Sequence, residues 1–133
     1  MDKTQAYYYL WSQFGMPAYD ENSVPDDETF KKMIESGVIK SKFPYITYQV
    51  IVDDIDYPVF PSASVWYRSE SWEDIDLKMI EISGKIGQMK PIKLDNGYMY
   101  VTKGTPWAQR MADEDRTVKR YVLNLGIEFL TEN

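Results

Sequence analysis

Apolar side chains recur along this chain in two rhythms, and each change of rhythm marks a boundary between elements. Tyr7, Leu10, Trp11 and Phe14 stand at i, i+3, i+4 and i+7, the buried stripe of a short helix. Thr4 is placed to cap its start, Gly15 to end it, and Pro17 forbids continuation. The stretch AYDENSVPDDE then reads as a polar, acidic connection. Over residues 27–37, DETFKKMIESG, Phe30, Met33 and Ile34 share a helical face and Gly37 suits the C-cap, which predicts a second, shorter helix.

The rhythm then shortens to two. Over residues 44–53, Ile46, Tyr48, Val50 and Val52 point one way, and Tyr45, Thr47, Gln49 and Ile51 the other. DDIDYPVFP carries two prolines and reads as a loop or frayed edge. SASVWYRS alternates again, with Ala63, Val65 and Tyr67 opposite Ser64, Trp66 and Arg68.

The clearest helix is SWEDIDLKMIEISGKIG. Ser71 is a good N-cap, and Glu73 and Asp74 sit in the first turn, where the helix dipole favours negative charge. Trp72, Ile75, Met79, Ile82 and Ile86 form its stripe, and Gly87 ends it. IKLDNGYMYV is a hairpin with a DNG turn. TKGTPWAQRMADEDRT predicts a long irregular loop, and KRYVLNLGIEFL a closing strand with Tyr121, Leu123, Leu125, Ile127 and Phe129 on one face. This order predicts a single α+β domain over residues 1–133, a mostly antiparallel sheet with helices packed on one face.

Composition narrows the chemistry. Fifteen basic against 21 acidic residues give a net charge of −6, which repels a phosphate backbone, so nucleic-acid binding by counterion release is not expected. Zero His removes the commonest general base and metal ligand, and zero Cys removes disulfides and thiolate sites. An enzyme would have to run on carboxylates, Lys or Tyr alone, so neither catalysis nor a cofactor is expected. No apolar run approaches the roughly 20 residues that cross a bilayer, and MDKTQAYYYLWSQFG lacks the parts of a signal peptide.

Among candidate sites, Asp53, Asp54 and Asp56 suggest a cation cluster, but they lack the glycine-bearing loop and closing Glu of a calcium site. Their default is a solvated acidic turn. In GTPWAQR and the following Met111, the residues Trp107, Gln109, Arg110 and Met111 have the composition of a protein contact. The alternative is that Trp107 folds back onto the core. Trp66 and Tyr45 fall on the parity opposite the core-facing residues of their strands. Both sheet faces thus carry large apolar groups while the helices are expected to cover one, so part of the second face should be buried against another molecule. Exposed aromatics also suit a carbohydrate platform, though nothing here selects a sugar.

The segments YYYLWSQFGMPAYDENSVP (7–25), FPYITYQ (43–49), ASVWYRSESW (63–72), EISGKIG (81–87), GTPWAQ (104–109) and YVLNLGIEFLT (121–131) resemble tail-completion proteins of long-tailed bacteriophages, also called tail-to-head joining or tail terminator proteins. The resemblance runs through almost the whole chain in the same order. One departure stands out: ETFKKMIESGVIKSK (28–42) intervenes where the family's VP-acid stretch runs almost directly into PYITY.

The resemblance implies an α+β subunit of a ring, typically of six copies, at the head-proximal end of the tail tube. Such a ring stops tube growth and meets the connector of the head. The implied partners are copies of itself, the tail tube protein and the head-completion connector protein, in the virion, after synthesis in the bacterial host cytoplasm. DNA would pass through without specific binding, and no membrane is involved. Asp53, Asp54 and Asp56 are then candidates for the lumen. A connector stopper, a tube subunit and a small ligand- or carbohydrate-binding module are the competing readings.

Overall fold

A computed structural model describes residues 1–52 and 57–132. Helix α1 (Lys3–Trp11) starts not at Thr4 but at Asp2, whose carboxylate accepts from the Gln5 N–H while the Gln5 side chain accepts from the Asp2 N–H. A 3₁₀ turn over Ser12–Phe14 and Gly15, at φ 74°, end it as the glycine suggested. Tyr7, Leu10, Trp11 and Phe14 are all buried.

The first surprise is strand β1 (Ala18–Asp20), taken from the stretch read as a connection. It pairs in parallel with β2 (Tyr45–Tyr48), itself shorter than the alternation over 44–53 implied. Three residues beside a proline carry too little alternation to announce a strand. Between them, α2 (Asp27–Glu35) is capped by Asp26, whose carboxylate accepts from the Thr29 N–H at 2.7 Å. Phe30 is buried, but Ile34, expected on the same face, is exposed.

Strand β3 (Ser62–Arg68) leads to α3 (Glu73–Gly87). The helix begins after Trp72 and not at Ser71, although the Ser71 hydroxyl still accepts from the Glu73 N–H at 3.3 Å. Ile75, Met79, Ile82 and Ile86 are buried as the stripe required, while Trp72 sits half-buried at the helix start. The expected hairpin joins β4 (Ile92–Leu94) to β5 (Gly97–Met111), and β6 (Val118–Thr131) closes the chain.

Most of the predicted loop over 102–117 is therefore strand. Pairing of β5 with β6 runs from Gly97 to Lys103, breaks, and resumes from Ala108 to Met111. The Gly and Pro that signal a loop lie in that break, where they serve a bulge. A Cβ on Gly104 would stand 2.9 Å from the Asn124 carbonyl oxygen, so the close approach of the two strands excludes any larger residue there without a shift.

The sheet order is β1-β2-β3-β6-β5-β4, with β1–β2 parallel and the other four pairings antiparallel, which is the α+β, mostly antiparallel architecture expected. The stripes of α1 and α3 meet Ile46, Val65, Leu123, Leu125, Ile127 and Phe129 in one core. The expectation that the helices share a face does not hold. Phe30 of α2 packs on Tyr19 and Tyr45, which lie on the opposite face of β1 and β2. Asp53, Asp54 and Asp56 lie outside the described residues.

Candidate interaction surface

On the face away from α1 and α3, register places Tyr45, Trp66, Arg120 and Met111 in one row across four strands. Trp66 stacks on Tyr45, with centroids 5.9 Å apart and 11° between the planes. The Arg120 guanidinium lies 4.5 Å from the Trp66 ring centre. Phe30 and Phe43 approach Tyr45 at 6.0 and 5.3 Å. Hydrogen bonds fix the row: Trp66 Nε1 donates to Thr47 Oγ1 at 3.0 Å, and Arg120 Nε donates to Ser64 Oγ at 3.1 Å.

This is a small second core, closed by Phe30 of the 28–42 segment. Tyr45 is buried in it, and burial raises its phenol pKa above the ordinary value. The Tyr19 hydroxyl is buried there without a hydrogen-bond partner among the described residues. Tyr45 is thus satisfied within its own chain, and Trp66, half-buried, offers only an edge.

Gln109 and Met111 lie on the same face, exposed, with Gln109 in register with Val122 and Met111 with Arg120. Further along the two strands, Tyr98 is in register with Leu130 and Tyr100 with Glu128. Tyr98, Tyr100, Met111, Leu130 and Phe60, whose ring lies over Gly126, are between 38% and 73% exposed. An apolar band therefore remains where α2 does not reach. Sequence reasoning did not single out Arg120, Tyr98, Tyr100 or Leu130. Alternation against Met99 and Phe129, both buried, is the signal that could have found the last three.

Trp107 and Arg110 sit on the other face, beside α3. Arg110 Nε donates to the Tyr121 hydroxyl at 3.0 Å, its terminal nitrogen to Asp76 Oδ2 at 2.8 Å, and Tyr121 donates to Asp76 Oδ1 at 2.6 Å. The guanidinium also lies 4.5 Å from the Trp72 ring centre. Burial, then the bond to Asp76, raises the Tyr121 pKa. Arg110 therefore ties β5 to α3. Trp107 is half-buried against the core, as the alternative reading had it, and lines a shallow groove of about 410 Å³ with Met79, Ile80 and Tyr121.

The six candidate contact residues are thus divided, four on one face and two on the other. Among the described residues no three acidic, His or Cys side chains gather as a metal site would need, and no helix is long and apolar enough to cross a membrane. Beyond Met99, the outer edge of β5 is not covered by β4. A scan against models of known protein families finds no match to this chain, and a search of curated proteins finds none.

Proposed function

We propose that this chain is a structural subunit of a phage head–tail junction, forming a ring that ends tail-tube growth and joins the tail to the head connector. The observation that carries the reading is apolar exposure on two sides of one small domain. The sheet face presents the band around Tyr98, Tyr100 and Leu130, and α3 presents Leu77 and Ile80, at 60% and 70% exposure, on the helical side. A ring subunit needs neighbours on two sides, and a stacked ring needs partners above and below. The resemblance to tail-completion proteins in six ordered segments supplies the identity of those partners: further copies, the tail tube protein and the connector protein.

The net charge of −6 suits a passage through which DNA slides without being held. On this reading, Asp53→Lys, Asp54→Lys and Asp56→Lys together impair DNA ejection without unfolding the protein; normal infectivity in that variant removes the lumen role. The reading itself is tested by electron microscopy of particles made when the gene is disrupted. Separate DNA-filled heads beside tails of uncontrolled length are expected. Intact virions overturn it.

A further inference from the structure

The two edges of the sheet carry opposite charge. At the β4 edge, Tyr9, Met89 and Ile92 line a groove of about 570 Å³ together with Lys85, Lys90 and Lys93, and no acidic residue among the described residues lines it. Lys85 is the last-turn cation of α3, where the helix dipole favours positive charge, and it reaches Gln13 O at 3.2 Å and Glu81 at 3.8 Å. Lys90 and Lys93 make no ion pair among the described residues. In a chain of net charge −6, this is a local excess of cations around an apolar floor.

At the β1 edge the chain turns through DENSVPDDE, residues 20–28, which hold five acids and no base. The turn is held in shape: Glu21 N–H donates to Tyr48 O at 2.8 Å, Ser23 N–H to Asp20 O at 2.8 Å, and Asn22 N–H to Asp20 Oδ1 at 2.9 Å. Val24 stands exposed in its middle. Asp26 caps α2 and Asp27 pairs with Lys42, whereas Glu21 and Glu28 make no ion pair among the described residues. The turn is an apolar knob flanked by carboxylates, and the groove is an apolar floor flanked by ammonium groups. None of residues 18–28 lines the groove of its own chain.

We propose that the acidic turn 20–28 of one copy docks in the lysine-rimmed groove of the next, a head-to-tail contact between copies of this chain. Such a contact uses two different patches per subunit and so propagates; closure into a ring rests on the function proposed above. Opposite charge sets the register, and like-charge juxtaposition disfavours the reversed pairings.

The absence of native cysteine makes disulfide trapping clean. The full chain carrying Val24→Cys and Gln88→Cys is oxidised mildly, beside a control carrying Val24→Cys and Glu114→Cys, Glu114 being exposed on the β5–β6 connection. Cross-linking requires Cα atoms within about 7 Å, so only a true contact accelerates it. The groove pair is expected to give a ladder of linked multimers about tenfold faster than the control. That advantage should vanish in ~1 M salt, where the screening length is about 3 Å. It should vanish also with Lys90→Glu and Lys93→Glu, and return when those chains are mixed with copies carrying Glu21→Lys and Glu28→Lys. Equal rates for the two cysteine pairs overturn the contact. A ladder together with intact virions on gene disruption keeps the contact and removes the phage reading, and malformed virions without a ladder do the reverse.

Discussion

The indole of Trp66 lies nearly parallel to the phenol ring of Tyr45, at 5.9 Å between centroids, on the sheet face that looks away from α1 and α3. Alternation placed both side chains there, and α2 decides what becomes of them. Phe30 closes over Tyr45 and Arg120 covers Trp66, so an aromatic pair that would otherwise face solvent becomes a small core. The 28–42 segment thereby covers part of an apolar sheet face and leaves the remainder, around Tyr98, Tyr100 and Leu130, exposed.

Trp66→Ala should therefore lower stability by about 2–4 kcal/mol, through lost burial and lost stacking. Trp66→Phe keeps the ring and loses mainly the bond to Thr47, at a cost of about 1 kcal/mol. Phe30→Ala should resemble the alanine variant, because it opens the same cluster. Urea unfolding measures all three. An unchanged midpoint for Trp66→Ala would mean that the cluster contributes nothing to the fold and that Trp66 is free for a partner.

Two glycines should behave oppositely. A Cβ on Gly97 would stand 1.9 Å from the Leu130 carbonyl oxygen and 2.7 Å from Thr131 Cα, both backbone atoms that yield only if the β5–β6 pairing shifts. Gly97→Ala should destabilise by more than about 1 kcal/mol. Gly84, inside α3, has nothing within 4 Å of such a Cβ, and Gly84→Ala should stabilise by up to about 1 kcal/mol through helix propensity. Thermal melts of the two variants should move in opposite directions.

The contrast between these elements shows what was legible. α1, α3 and β6 bury one face each, so the spacing of Leu10, Ile82 or Leu125 carries the period of the element. β1 is three residues long and has no period to carry. In β5, Gly104 and Pro106 spoke locally for a loop, while the partner that keeps the strand going, β6, lies elsewhere in sequence. The candidate contact residues divide for the same reason. Parity placed Tyr45 and Trp66 correctly, but nothing local indicates that α2 would fold over them, or that Arg110 would find Asp76 on α3.

Asp76 is the acceptor that joins Tyr121 and Arg110, and each substitution at this node removes two of its three bonds but leaves different groups unpaired. Tyr121→Phe should cost about 1 kcal/mol. Asp76→Ala should cost more, because two donors lose their acceptor and the ion pair with Arg110 is lost as well. Arg110→Ala should lower the melting temperature without changing the rate of Val24–Gln88 cross-linking, since its guanidinium is turned toward Trp72 and α3. A slowed cross-link with an unchanged melt would place Arg110 at an interface instead.

The alkaline limb of stability should be set by buried tyrosines. Burial pushes the Tyr7 phenol up to about 12, and its hydroxyl donates to the Ile51 carbonyl at 2.8 Å, a bond only the protonated form can make. The folded pKa lies above the unfolded value of about 10. The contribution of Tyr7 is therefore complete below that value and is lost as pH rises through about 12. Burial shifts Tyr19, Tyr45, Tyr48, Tyr67 and Tyr121 in the same direction, so all steepen the same limb. Tyr7→Phe should cost about 1 kcal/mol near neutral pH, because the Ile51 carbonyl loses its donor. Its penalty should then shrink above about pH 10, since phenylalanine has no proton to lose. Urea midpoints for the two proteins should converge as pH rises. A gap that stays constant would show that Tyr7 is not held in its neutral form by the fold.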